Sequence, residues 1–235
     1  MGRLIFRREH DGGRALTDRT NYGQKAIQAA QSIRRTSFTS WWIAFKACRV
    51  AANQKWSELS GLVHLVRGLS PISIIEIGVD GGGTMALWAQ IAATDARLIG
   101  VDLEISAAVQ SSVRASLRTG QALSLFAGDS HSDATKRRVR DTLGDNKVDF
   151  LFIDGDHGYE GVKQDFEDYG PLVRKGGLVA FHDIVPDFST RFGIHTGQHS
   201  GAVHKFWREV STRYPHDEFI ESIAQDGFGI GVIYV

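Results

Sequence analysis

The sequence predicts an α/β fold: a mostly parallel sheet with helices on both faces, closed by a C-terminal antiparallel strand pair and preceded by a helical segment. Three observations carry this. Short apolar runs bounded by turn residues recur between Ile72 and Phe181, as in strands buried on both faces. Segments of helical periodicity separate them, so strand and helix alternate as parallel crossovers require. The runs end in acids, glycines or histidines, at the edge where open α/β sheets bind ligands.

The elements follow in order. Residues 1–22 are rich in Arg, Gly and Asp without clear periodicity and read as a loose arm. Residues 24–34 form a polar helical pattern. Phe38, Trp41, Trp42 and Phe45 are spaced for one helix face; they suit core or subunit packing, or a lid. A further helix covers Lys55 to Gly68, with Leu59, Leu62, Val63 and Val66 apolar and Gly68 as its stop. Pro71 then opens the regular part, dividing the chain into 1–70 and 71–235.

Strands are expected at Ile72–Ile77, Ala96–Val101, Leu123–Ala127, Phe150–Ile153 and Gly177–Phe181. Helices are expected at Met85–Ala93, Ser106–Arg118, Asp133–Leu143 and Tyr159–Val173. Val162, Phe166 and Tyr169 mark the buried stripe of the last of these, and Asp165, Glu167 and Asp168 its solvated face. Residues 185–201 form a long loop with Phe188, Arg191, Phe192, His195 and His199, read as a mobile lid touching substrate. A helix follows from Val203 to Tyr214. Glu218–Ile223 and Gly229–Val235 are the closing pair.

Lys+Arg and Asp+Glu are both 27, so no broad attraction to nucleic acid or anionic membrane is expected. No stretch approaches the roughly 20 apolar residues of a membrane span, and the start lacks the apolar run of a signal peptide. The single cysteine, Cys48, excludes an intrachain disulfide and fits a reducing cytoplasm.

The first chemical motif is Glu76-Ile77-Gly78-Val79-Asp80-Gly81-Gly82-Gly83-Thr84, between a strand and a helix. Glycines let a backbone approach a ligand closely, and the helix start offers free N–H groups. Asp80, Gly82 and Thr84 belong to this cradle. Asp102, ending the next strand, is placed to accept from two ribose hydroxyls. Gly81-x-Gly83-x-x-Ala86 also matches the dinucleotide fingerprint, but its first glycine falls several residues past the strand end. Glu76, inside the strand, better suits a cofactor with a cationic amino-acid end, which favours a methyl donor over a nicotinamide. Asp129 and Ser130 end the third strand, where either suits an adenine amino group; Asp129 equally suits a helix N-cap.

The second motif is Asp154-Gly155-Asp156-His157 ending the fourth strand, with His182-Asp183 ending the fifth. If the strands are neighbours, Asp154 and Asp183 supply two carboxylates to a hard cation such as magnesium, with His182, Asp156 or water as a third position. His157 is placed to take a hydroxyl proton as general base. His182 alternatively orients Asp183 without touching metal. Asp156 alternatively caps the helix that follows. His157, His182 and Asp183 also meet the ligand types of an iron facial triad.

These residues, with Phe152-Ile153 ahead of Asp154, Tyr159-Glu160 behind it and Lys175-Gly176-Gly177 before the fifth strand's end, resemble the class I S-adenosylmethionine-dependent methyltransferases. The similarity is to the bacterial subgroup that includes macrocin-type sugar O-methyltransferases and cephalosporin hydroxylase-like proteins. It runs from about Ile72 to the C-terminus and includes Val203-His204-Lys205-Phe206-Trp207 and Phe228-Gly229-Ile230-Gly231-Val232. It implies a Rossmann-like seven-stranded sheet with a reversed last strand. It implies donor contacts at Glu76, Gly78, Asp102 and Asp129, magnesium at Asp154 and Asp183, and a base at His157. His182 stands where relatives often carry another acid or amide. Residues 1–70 would then build the acceptor pocket or a homodimer contact. The expected activity is magnesium-dependent O-methylation of a small hydroxylated acceptor in the cytoplasm. The rivals are an iron oxygenase and a degenerate nucleoside-binding protein.

Overall fold

The computed structural model describes residues 52–235. The expected arm, the helices within residues 24–50, the Trp41–Trp42 pair and Cys48 lie outside the described residues.

Among the described residues one seven-stranded sheet has the order β3-β2-β1-β4-β5-β7-β6. Its strands are β1 (Ser73–Ile77), β2 (Arg97–Asp102), β3 (Ala122–Ala127), β4 (Val148–Ile153), β5 (Val173–His182), β6 (His216–Phe219) and β7 (Ile230–Tyr234). The first five are parallel, while β7 runs antiparallel to both β5 and β6. The helices are α1 (Trp56–Leu69), α2 (Gly83–Ile91), α3 (Ala107–Ser116), α4 (Asp133–Leu143), α5 (Tyr159–Tyr169), α6 (Phe188–Phe192) and α7 (Val203–Val210).

Successive side chains of a strand point to opposite faces, so the apolar runs feed two cores. Ile74, Phe150 and Phe152 join one core with α1 and α2. Ile75, Leu151 and Ile153 join the other with α4, α5 and α7. Trp88 of α2 packs edge-on against Phe150 and Phe152, with centroids 5.1 and 5.6 Å away. No helix among the described residues is long and apolar enough to cross a membrane.

Several boundaries differ from expectation for local reasons. α1 runs past Gly68, and Ser70 takes the left-handed turn (φ 49°) that ends it. α5 ends at Tyr169 rather than Val173, because Pro171 carries no N–H to continue the helix. The chain makes one 3-10 turn there and enters β5 at Val173, four residues early. β6 stops at Phe219: just beyond Ile220, the backbone N–H groups of Glu221 and Ser222 donate to the side chains of Glu58 and Gln225. α7 ends at Val210, short of Tyr214, and the long loop contains the short α6.

Candidate functional site

From β1 the chain winds outward to β2 and β3, whereas β4 continues to β5 on the other side. The crevice beyond β1 and β4 is therefore the topological switch point, where such sheets bind ligands. Both turns that border it carry the expected motifs.

On the β1 side, Gly78 has φ +88°, and its N–H donates to the Val101 carbonyl at 2.8 Å. A Cβ at Gly78 would collide with the Asp154 carbonyl and lie 2.9 Å from Gly155 N. The glycine turn and the turn after β4 thus touch backbone to backbone, which only glycine allows. Asp102 Oδ2 accepts from Val79 N and Asp80 N, both at 2.8 Å, and Oδ1 from Glu104 N at 3.2 Å. The acid expected to meet ribose therefore also sets the shape of the glycine turn. An open groove of about 520 Å³ lies beside it, lined by Asp80, Gly81, Asp102, Glu104, Ile105, Ser106 and Val109.

Glu76 is fully buried under this turn. Thr84 donates its hydroxyl to Oε1, and Oε2 has no hydrogen-bond partner. Burial pushes the Glu76 carboxyl well above the usual range; Asp154 and Asp102 push the same way, against the Thr84 hydrogen bond. Thr84, expected in the cradle, is buried and reaches the crevice only through Glu76.

At the end of β3, Ser132 rather than Asp129 caps the helix, accepting from Thr135 N. Asp129 is exposed and accepts from His131 N at 2.9 Å. Ser130 points the other way: its hydroxyl donates to Asp165 at 2.7 Å, so it is not free for a nucleobase. Asp165, expected on a solvated face, is fully buried.

The β4–β5 register pairs Ile153 with Phe181, which sets Asp154 beside His182. Asp183 follows in the left-handed region (φ 60°), a conformation Asp tolerates better than most residues. One ligand atom from each of Asp154, His182 and Asp183 lies within 4.8 Å of the others. His182 Nδ1 is 3.1 Å from Asp154 Oδ1 and 3.5 Å from Asp183 Oδ2. Asp183 Oδ1 accepts from Phe228 N at 3.0 Å. Two carboxylates and one imidazole nitrogen fit a divalent cation. The nitrogen is an unusual donor for magnesium and suits manganese, iron or zinc as well.

His157 flanks this cluster. Its Nε2 is 3.8 Å from Asp154 Oδ1, and its Nδ1 lies 2.7 Å from the His199 carbonyl and 3.5 Å from Asp183 Oδ2. The His199 ring stacks on it at 5.9 Å. The facial-triad grouping is not what converges, because Asp154, not His157, completes the cluster. Asp156 turns away and accepts from Gly158 N at 2.6 Å. His195 contacts Ser189 instead of the crevice.

Charge binds these groups together. Burial raises the Asp154 carboxyl, but His182 and His157 more than offset it, to about 2. Contact with Asp154 raises His157, against burial, to about 9. Burial lowers His182, yet Asp154 and Asp183 carry it to about 9. Burial dominates at Asp183, which is raised despite His182.

Two residues at the site come from outside the motifs. Gln54 Nε2 donates to Asp154 Oδ2 at 2.6 Å, and Asn53 Nδ2 to Asp80 Oδ2 at 3.0 Å. The segment ahead of α1 therefore spans the switch point. α1 is tied in by the buried Glu58, which accepts from Glu221 N at 3.1 Å, Gln225 Nε2 at 2.7 Å and Gly229 N at 2.9 Å.

Residues 75–184 match the family model for a methyltransferase domain. An uncharacterized protein of Acanthamoeba polyphaga mimivirus is 51% identical over 45 residues, 19% of this chain and 20% of that protein. The chain spans a fifth or less of the length of the curated relatives it matches. Among solved structures, the O-methyltransferase TomG of Streptomyces achromogenes, involved in tomaymycin synthesis and solved with SAM, superposes with a TM-score of 0.57. Identity is 19%, covering 85% of this chain and 91% of that one. An O-methyltransferase of Bacillus cereus in complex with SAH gives 0.56 at 17% identity, covering 85% and 92%.

Proposed function

We propose that this chain is a class I methyltransferase that transfers a methyl group from S-adenosylmethionine to a hydroxyl of a small molecule with the help of a divalent cation, a reading supported by the methyltransferase-domain match over residues 75–184 and by the shared fold. The observation that carries the reading is the shared switch point: the glycine turn, with Asp102 clamping it, touches the turn that bears Asp154 and His157.

The buried Glu76 carboxyl under the glycine turn and the close approach at Gly78 fit a donor lying in this crevice. Gly78, Asp80, Gly82 and Asp102 would hold it, with Asp129 toward its nucleobase; the donor supplies an electrophilic methyl group. Asp154, His182 and Asp183 would hold the cation, which supplies positive charge that acidifies the acceptor hydroxyl and orients it. His157 then takes the hydroxyl proton. Asp154 and Asp183 hold His157 protonated at neutral pH, its pKa being about 9. A cation on those carboxylates would offset that pull and let the ring act as a neutral base. Nδ1–H is then donated to the His199 carbonyl, and the lone pair lies on Nε2, on the Asp154 side. The contact with the His199 carbonyl aims that nitrogen, and positioning supplies much of the acceleration. An acceptor such as a sugar hydroxyl of a secondary metabolite suits a site that exposes His157 only in part.

Equilibrium dialysis with labelled S-adenosylmethionine tests the donor half: wild type retains it and Asp102→Ala loses at least tenfold in affinity. Equal retention by both would refute the donor site. For the cation half, methyl transfer to a panel of glycosides stops with EDTA and returns with magnesium or manganese. His157→Ala slows turnover by about 10²–10⁴-fold with donor affinity kept. Turnover indifferent to chelator would refute the cation while leaving the donor site standing.

A further inference from the structure

α5 carries a carboxylate where its register calls for an apolar side chain. Its buried residues are Gly161, Val162, Asp165 and Tyr169, the stripe that faces the sheet. Asp165 has no exposed surface. Burying a carboxylate costs several kcal/mol unless partners compensate, so the partners indicate what the residue is for.

They belong to the turn after β3. Ser130 Oγ donates to Asp165 Oδ1 at 2.7 Å, and His131 Nε2 lies 3.1 Å from the same oxygen. One helical turn further on, Tyr169 donates its hydroxyl to the Ser130 carbonyl at 2.7 Å. α5 therefore grips Ser130 at both side chain and backbone, with the His131 ring set against the same acid. The gripped turn carries Asp129, whose carboxylate accepts from His131 N. On its other side, Asp165 Oδ2 has no hydrogen-bond partner and lies 3.4 Å from the place a Cβ of Gly155 would take. The same helix begins directly behind the Asp154–His157 turn. One rigid element thus ties the turn expected at the donor's nucleobase to the turn expected at its methyl group.

We propose that Asp165 is a positioning residue for donor recognition: through Ser130 and His131 it sets the turn that presents Asp129 to the exocyclic amino group of the donor's purine. The inference rests on the donor reading above. A carboxylate there accepts from an amino group and repels the carbonyl oxygen of a hypoxanthine, so the site discriminates between the two bases. Asp165 touches neither base. Its role is to keep Asp129 aimed, and its loss relaxes that discrimination.

The test is calorimetry on the full chain with S-adenosylhomocysteine and its deaminated counterpart, S-inosylhomocysteine. Wild type prefers the adenine compound by tenfold or more. Asp165→Leu weakens adenine binding about tenfold, the worth of one hydrogen-bonded contact to a charged group, and leaves inosine binding nearly unchanged, so the preference collapses. Asp165→Asn, whose amide oxygen still accepts from Ser130, restores most of it. Should Asp165→Leu not fold, Ser130→Ala removes the same bond without deleting the acid and is expected to lose the preference too. A residue that only stabilises the fold would lower both affinities alike and leave their ratio intact, which overturns the proposal. Wild type that binds the two equally also overturns it. Wild type that binds neither refutes the donor reading, and this inference with it.

Discussion

Replacing Gly78 by alanine probes the contact on which the site depends. The residue sits at φ +88°, so a Cβ there carries left-handed strain of about 1–2 kcal/mol. The new methyl would also collide with the Asp154 carbonyl and stand 2.9 Å from Gly155 N. Neither is the yielding end of a side chain; both belong to the main chain that follows β4. Overpacking of this kind adds about 1–3 kcal/mol, so Gly78→Ala should lose about 2–5 kcal/mol. A domain of ordinary stability, roughly 5–15 kcal/mol, survives that loss with a lowered midpoint. Urea unfolding followed by tryptophan fluorescence reads it as a shift in midpoint at constant slope. Because relief of the clash moves Asp154, S-adenosylhomocysteine affinity should fall at least tenfold in the same variant. A variant within about 0.5 kcal/mol of wild type, binding the nucleoside normally, would show that the two turns do not touch.

Two further outcomes follow from buried carboxylates. Glu58→Ala strips the acceptor from Gln225 and from the N–H groups of Glu221 and Gly229, and should destabilise by about 3 kcal/mol or more, at about 1–3 kcal/mol for each buried donor left unpaired, read by the same urea titration; a loss below about 1 kcal/mol would contradict that staple. Asp165 is raised by burial from its ordinary 3.8 to about 6. The unfolded chain therefore releases this proton first as pH rises, and the group's contribution to stability falls between about pH 4 and 6. Asp165→Asn removes that component, on the order of 2–3 kcal/mol. Differential melting across this range should show the variant gaining on wild type as pH rises, and parallel curves would contradict it.

The sheet and its strand ends were legible because both faces of β1 and β4 are buried. Continuous apolar runs such as Phe150–Ile153 have few other uses, and their ends fall where topology puts ligands. Asp154, His182 and Asp183 could be paired from sequence because adjoining parallel strands bring their ends together. Direction was harder to read than position. Thr84 and Ser130 occupy the expected turns, yet both donate inward to buried acids. Asp165 looks solvated beside its charged neighbours Glu167 and Asp168, yet it is buried. Its spacing of four from both Gly161 and Tyr169 was the available signal for the buried stripe. Gln54 and Glu58 carried no signal, since their partners lie 100 and more residues away and only the tertiary fold joins them.

The central claim is that two carboxylates from adjoining strands share one cation in the donor crevice, and manganese bound to the purified protein tests it most directly. Electron paramagnetic resonance of Mn²⁺ titrated into wild type should show a single class of bound ion. That class should vanish in Asp183→Ala and Asp154→Asn, with circular dichroism unchanged. Bound manganese that persists in both variants, or none bound to wild type, would contradict it.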